Sequence, residues 1–361
     1  MSTEKIPVPG AELTDTYAVP RIINGTWQLS EGHSRLPIAD SLDLFEKLID
    51  AGLTAFDCAD IYTGVEALLG KCLCAARGRP GRGRVPIHIH TKCVPDLQSL
   101  PTLTPEDITS IVHRSRIRLG VAQLDLVQLH WWDFDIPGIV EAGLTLSRLR
   151  QQGVIRNIGV TNFDAPHLQL LLDAGVPVVS NQVQFSLLDR RPENAMLSLC
   201  DRHGISLLCY GTVAGGFLSD RYLDQPDPLI PLENRSLVKY RLIIDEFGGW
   251  ARFQKLLRTL RTIADKHHAS IATVATRYIL QKPSVAAAIV GTRRPDHIPD
   301  TVRVFSFALD EEDLTRIESV SANAGLKGPI YGLERTPDSR HASIMHTNLC
   351  QGATDPDETR S

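Results

Sequence analysis

Short apolar runs recur along this chain, and each gives way to a stretch with the three- and four-residue spacing of an amphipathic helix. The runs at 21–27, 54–60, 85–92, 123–132, 154–162, 176–185, 205–211 and 285–292 read as strands buried on both faces. Between them the spacing predicts helices over 38–51, 65–76, 138–152, 165–174 and 192–203, with a last helix over 310–322. Another helix begins at Thr104, where "TPED" supplies an N-cap, a first-turn proline and acidic residues. A long insertion at 212–241 separates the seventh strand from further helical segments running to Gln281. An open doubly wound sheet satisfies this alternation. Eight regular βα units in one chain point instead to a closed (β/α)8 TIM barrel. We expect one α/β domain at 18–336, with extended loops after strand 7 and at the C-terminus. Residues 1–17 read as a flexible lead-in and 337–361 as a polar tail.

Composition narrows the class of protein. The 361 residues are 43% hydrophobic and 22% charged, ordinary values for a globular chain, with a formal net charge of −4. That charge gives no general attraction to nucleic acid or acidic membranes. No apolar stretch approaches the roughly 18–20 residues that cross a bilayer. The polar start "MSTEKIPVPGAELTD" lacks a hydrophobic h-region. The expectation is a cytoplasmic protein, monomeric or weakly homo-oligomeric, with no nucleic-acid or membrane partner. The seven cysteines, Cys58, Cys72, Cys74, Cys93, Cys200, Cys209 and Cys350, are odd in number and mostly lie in apolar runs. They read as free thiols in a reducing compartment. Cys72 and Cys74 lack zinc-type spacing, and "HIH" at 88–90 sits in an alternating strand pattern, so no metal site is expected. The basic "RGRPGRGR" at 77–84 reads as an exposed connection.

In such a barrel the chemistry gathers at the C-terminal strand ends. "FDCADIY" at 56–62 puts Asp57 at the end of the second strand and Tyr62 just past it; Lys92 ends the third strand and His130 the fourth. Neighbouring strands lie about 4.8 Å apart, so these groups can converge. Alone, each has a plainer explanation as a surface charge or a satisfied core group; together, on three successive strand ends, they favour a site. The expectation is that the Lys92 ammonium lowers the pKa of the Tyr62 phenol, ordinarily about 10. Asp57 would hold Lys92 by a salt bridge, and His130 would donate a hydrogen bond to a carbonyl or alcohol oxygen. Such a set can protonate a developing alkoxide. Asp60 reads as a loop or capping residue. No GxGxxG follows the first strand, so a Rossmann mode of cofactor binding is not supported.

These residues carry a family resemblance. "FDCADIY" with "EALLG" at 66–70, "TKC" at 91–93 and "VQLHW" at 127–131 resemble, in order, the motifs of the aldo-keto reductase superfamily. "GVTNF" at 159–163, "NQVQF" at 181–185 and "CYGTVAGGFL" at 209–218 extend the resemblance over most of the chain. It implies a (β/α)8 barrel that binds NAD(P)H across its mouth and reduces an aldehyde or ketone to an alcohol, or the reverse. Tyr62 would be the general acid or base, supported by Asp57, Lys92 and His130. Thr161, Asn162 and Gln182 would hold the nicotinamide carboxamide, and Tyr210 would stack on its ring. Gly25, Thr26 and Trp27 would line the junction of cofactor and substrate, with Asp57 close by. Gly211, Thr212, Gly215, Gly216 and Leu218 would follow the pyrophosphate.

At the adenosine end the resemblance assigns Gly291, Thr292, Arg293, Arg294, His297, Asp300 and Thr301. The family often shows Arg-x-x-Glu-Asn where this chain has His297, Ile298, Pro299, Asp300 and Thr301. Arg293 and Arg294 are clustered cations able to replace the missing one, so NADP(H) is favoured and NAD(H) remains possible. Trp131 and Trp132 are an unusual pair; one indole can wall a substrate pocket with Trp27, Tyr62 and His130, or both can pack. The rival to an enzyme, one able to act within a biosynthetic pathway, is an NADP(H)-binding regulatory or scaffold subunit with little turnover.

Overall fold

The computed structural model describes residues 6–30, 37–78, 85–228, 231–322 and 325–349. The basic stretch at 79–84 and Cys350 lie outside these residues. Among the described residues the chain forms strands β1 (Gly10–Thr14), β2 (Tyr17–Pro20), β3 (Ile22–Gly25), β4 (Ala55–Asp57), β5 (His88–Cys93), β6 (Leu124–Leu129), β7 (Ile155–Thr161), β8 (Val178–Gln184), β9 (Ser206–Tyr210) and β10 (Val285–Gly291). Strands β3 to β10 pair in parallel in chain order, and β10 returns to β3, so the barrel is closed. The eight runs read from sequence are these eight strands, each a residue or more shorter than its apolar pattern.

Helices α1 (Ile38–Asp50), α2 (Val65–Arg77), α3 (Pro105–Leu119), α4 (Ile139–Gln151), α5 (Ala165–Asp173) and α6 (Met196–His203) each follow a barrel strand. Local chemistry starts and stops them. On α3, Thr104 and Asp107 form a reciprocal capping box, Pro105 occupies the first turn, and Gly120 ends the helix in the left-handed region. On α1, Leu44, Phe45, Leu48 and Ile49 face the barrel at helical spacing. Helices α7 (Arg235–Phe247), α8 (Gly249–Lys266) and α9 (Ile271–Leu280) fill the path from β9 to β10. Helices α10 (Ile298–Arg303), α11 (Glu311–Ser321) and the one-turn α12 (Gly332–Arg335) follow β10.

Several elements depart from the sequence expectation. The antiparallel hairpin β1–β2 lies partly within the stretch read as a flexible lead-in. Leu13, Tyr17 and Val19 of this hairpin join Ile23, Ala55, Leu126, Leu208, Ala287 and Ile289 in a cluster that fills the barrel floor. The Tyr17 hydroxyl pairs with His90 Nε2 at 3.0 Å, and its ring meets His88 edge-on, which gives "HIH" a packing role. Helix α7 begins inside the stretch read as insertion. The Asn234 side chain accepts from the Leu237 N–H, and Leu237, Tyr240, Ile243, Ile244 and Phe247 recur at helical spacing and are buried. Helix α6 begins later than expected, because Arg191 and Pro192 belong to a separate 3₁₀ turn. Residues 345–349 dock on the turn after β5: the Leu97 N–H donates to Thr347 O, and the Leu349 N–H donates to Asp96.

Candidate active site

The C-terminal strand ends meet around one carboxylate. Asp57 closes β4, Lys92 lies in β5, Gln128 in β6 and Gln182 in β8. Lys92 Nζ donates to Asp57 Oδ2 at 2.7 Å and to Cys58 O at 2.8 Å. Gln128 Nε2 and Gln182 Nε2 donate to Asp57 Oδ1 at 3.1 and 2.6 Å. Gln182 also reaches Gln128 Oε1 at 3.1 Å. The Asp57 carbonyl accepts from the Thr26 N–H and from its hydroxyl, tying β3 to β4 at the mouth. Asp57 and the three side chains around its carboxylate are nearly inaccessible, so the ammonium is held in one position. Gln128 was missed from sequence, where it reads as one polar residue in a buried strand.

Tyr62 stands above this pair, with Lys92 Nζ 5.2 Å from its ring centre. Burial pushes the phenol pKa above its ordinary value, and the Lys92 charge only partly offsets that. The expected net lowering is therefore corrected: Asp57 neutralises much of the ammonium's field, so Tyr62 rests as a protonated phenol. Burial by itself would lower Lys92, but the adjoining Asp57 carboxylate outweighs it and holds the ammonium charged. His130 is 3% exposed, and burial pushes its pKa down to about 3. Its Nδ1 faces the Thr161 carbonyl at 3.2 Å, an acceptor only, which places the proton there. In the neutral ring Nε2 is then an acceptor, so the expected donation from His130 to a carbonyl oxygen is replaced by acceptance from a hydroxyl. Asp60 accepts from the Val94 N–H, as befits a loop carboxylate.

The pocket walls divide the tryptophan pair. Trp131 is fully buried and donates from Nε1 to Ile136 O at 3.0 Å, so it packs beneath the loop. Trp132 stands edge-on to His130, with ring centres 4.4 Å apart, and its buried Nε1 has no partner among the described residues. Trp27 opens the 3₁₀ turn after β3. The C-terminal segment supplies a roof that the pattern of the chain did not reveal in detail. Tyr331 stands edge-on to His130 at 5.7 Å. Arg335 donates to the carbonyls of Trp131, Trp132 and Asn162 at 2.7, 3.1 and 3.1 Å and lies 3.9 Å above the Phe134 ring. Burial pushes the Arg335 pKa down to about 10. Lys239 of α7 also reaches the mouth, beside the rings of Tyr210, Tyr240 and Tyr331. No sequence motif marks these residues, since their separation along the chain hides their convergence.

The residues assigned to a cofactor fall along one rim. Thr161 ends β7, and Asn162, just beyond it, takes a left-handed φ of 62°. The Tyr210 hydroxyl donates to Asn162 Oδ1 at 2.8 Å, which fixes the phenol ring. The turn after β9 is tight: the N–H groups of Ala214, Gly216, Phe217 and Leu218 donate to carbonyls within it. A Cβ on Gly211 would lie 3.0 Å from Tyr240 Cζ, and one on Gly215 would lie 2.8 Å from Ser236 Oγ. Glycine is needed at both positions because α7 packs against them. Gly216, at φ 105°, faces open space. Thr212 is buried, with its hydroxyl 3.3 Å from that of Thr276. Leu218 is buried too. Across the rim, Gly25 pairs with Gly291, and Thr292 is buried beyond them. Arg294 is paired in bidentate fashion with Asp296. Asp300 accepts from the hydroxyls of Ser270 and Thr273, and Thr301 bonds back to His297 O, so both serve the helix join. His297 is exposed.

Among the described residues no helix is long and apolar enough to cross a membrane, and no cluster of three or more His, Cys, Asp or Glu could hold a metal ion. A family model described as "Aldo/keto reductase family" matches residues 21–322. Flagellar radial spoke protein 5 of Chlamydomonas reinhardtii is 30% identical over 76% of this chain, which spans only 57% of that protein's length. An NADH-specific methylglyoxal reductase of Escherichia coli is 25% identical, over 88% of this chain and 98% of that protein. A solved thermostable aldo-keto reductase in complex with the inhibitor epalrestat superposes with a TM-score of 0.66 at 26% identity, covering 86% of this chain and 99% of that one.

Proposed function

Because the chain belongs to the aldo/keto reductase family, we propose that it reduces the carbonyl of a small aldehyde or ketone with a nicotinamide cofactor, and oxidises the corresponding alcohol in reverse. The observation that carries this reading is Lys92, held between Asp57 Oδ2 and Cys58 O directly beneath the Tyr62 ring. When bound, the cofactor supplies the hydride. Tyr62, protonated at rest, gives its phenol proton to the substrate oxygen as charge develops there. Lys92 steadies the phenolate that remains, and the Asp57 cage keeps Lys92 charged and aimed. Neutral His130 can then accept a hydrogen bond at Nε2 from the new hydroxyl, helping to orient the alcohol while the proton stays on its oxygen. Trp132 and Tyr331 exclude water from this oxygen.

The rim residues fit a nicotinamide. Tyr210 offers a fixed aromatic face, and beside it Asn162 Nδ2 has no partner among the described residues and can donate to the carboxamide. Gln182 is engaged by Asp57, so it would support the carboxamide only through its remaining lone pairs. Thr161, Gly25, Thr26 and Trp27 complete that end, and Gly216 and Thr212 suit the pyrophosphate. NADP(H) preference would rest on Arg293, Arg294 and His297. The Arg294–Asp296 pair is exposed and worth little, so a 2′-phosphate can displace the carboxylate. A cytoplasmic setting and a place in biosynthesis belong to the same proposal. The test follows absorbance of NADPH or NADH with a panel of aldehydes and ketones, after cofactor binding is shown by fluorescence. Bound cofactor without any consumption across the panel would favour a scaffold role and refute the enzyme.

A further inference from the structure

Among the described residues, one cation at the mouth of the barrel, Lys239, has no ion-pair partner. Lys92 is engaged by Asp57, and Arg335 by three carbonyls. Arg191 is fully buried and binds both Asp189, at 2.8 Å, and Glu334, at 3.2 Å. Lys239 differs. Its Nζ lies 5.2, 5.9 and 5.4 Å from the ring centres of Tyr210, Tyr240 and Tyr331, and among the described residues no carboxylate lies within ion-pair distance. The nearby carboxylates, Glu334 and Asp189, are the ones already bound to Arg191. Lys239 is half-buried, and cation–π contact offsets only part of the hydration its ammonium has lost. Burial accordingly lowers the Lys239 pKa.

We propose that Lys239 selects the substrate by receiving a carboxylate carried on the aldehyde or ketone. This rests on the reductase reading above and names its substrate class. Position supports a substrate anion over a cofactor phosphate. Tyr240 and Ser236 are the α7 residues that pack on Gly211 and Gly215, the turn suited to a pyrophosphate. Lys239 instead faces Tyr210 and Tyr331, and Tyr331 is the ring that stands on His130. An oxygen held at Tyr62 and His130 and an anion held at Lys239 would therefore belong to one molecule. The walls between them are aromatic, Tyr331 and Trp132, so the linker joining the two groups is apolar or planar.

The test compares 4-carboxybenzaldehyde with 4-methylbenzaldehyde on the full chain. In Lys239→Met the ratio of kcat/KM for the acid over the neutral aldehyde should fall about 10- to 100-fold, carried mainly by KM, as expected for loss of a charge-assisted contact. Lys239→Arg should recover most of the ratio. Benzoate binding, measured by calorimetry, should weaken in Lys239→Met by a similar factor. An unchanged ratio, or a rise in the NADPH dissociation constant that lowers both aldehydes alike, overturns the proposal; the second result assigns the cation to the cofactor. If benzoate binds and is lost in Lys239→Met while neither these aldehydes nor any member of the wider carbonyl panel is reduced, the anion site stands and the reductase reading falls.

Discussion

Asp57→Asn is the perturbation that most directly tests the cage at the barrel mouth. The side chain keeps its shape and loses only its charge and one acceptor. In the native protein Oδ2 accepts from Lys92, and Oδ1 accepts from both Gln128 and Gln182. All of these partners are donors, so an asparagine amide must turn its own N–H₂ toward a donor in either orientation. It also leaves the Lys92 ammonium buried with a neutral neighbour. Removing one partner of a buried pair costs about 3–5 kcal/mol, a large share of the roughly 5–15 kcal/mol that separates native from unfolded domains. The pH dependence has a definite sign. In the wild type, Asp57 holds the Lys92 pKa above its unfolded value. Its stabilising contribution is therefore complete below about 10.4 and is lost as pH rises through the folded value. In Asp57→Asn burial outweighs the remaining hydrogen bond to Cys58 O, and the folded pKa drops below the unfolded one. Stability of the variant then rises with pH toward about 10.4, because the unfolded chain binds more protons. Urea unfolding at about pH 7 and about pH 10 should show the gap between variant and wild type narrowing at the higher pH. Lys92→Met added to Asp57→Asn should recover at least about 1 kcal/mol at neutral pH, since it removes the stranded charge. A loss below about 1 kcal/mol, or a double variant that merely sums the two singles, would refute the cage as described.

Tyr62→Phe should retain NADPH binding by fluorescence and slow single-turnover hydride transfer by about 10²–10⁴-fold; near-normal transfer would remove the phenol from the chemistry. Because His130 is neutral from about pH 4 upward, kcat/KM should show no inflection near 6.5, and one that vanishes in His130→Gln would overturn the neutral state of the ring. Arg293→Ala with Arg294→Ala should weaken NADPH far more than NADH, whereas equal losses would place the 2′-phosphate elsewhere. Arg335→Leu removes three hydrogen bonds to carbonyls, so amide exchange across 331–345 should quicken roughly tenfold or more; protection equal to wild type would show that the roof is held by packing alone.

Repetition is what the amino-acid sequence determined by itself. Each strand is short and apolar enough to demand cover on both faces, and several helices carry their own caps, such as Thr104 with Asp107 and Asp164 before α5. Local rules of that kind suffice to count eight βα units and to place Asp57, Lys92 and His130 at strand ends, because strand direction alone decides which end bears the site. Tyr62 and Gln182 fall beside them for the same reason. Only the folded barrel decided the rest. Whether Trp131 or Trp132 lines the pocket depends on which indole finds a partner under the loop, and Ile136 O lies beside Trp131. The state of Tyr62 depends on burial competing with a cation that Asp57 has already neutralised, a balance of distances that the motif does not contain. The hairpin that fills the barrel floor, and the meeting of Lys239, Tyr331 and Arg335 above His130, join segments far apart in the chain. Their contacts carry no local periodicity, so they become visible only when closure of the barrel brings both ends of the sequence to its two openings.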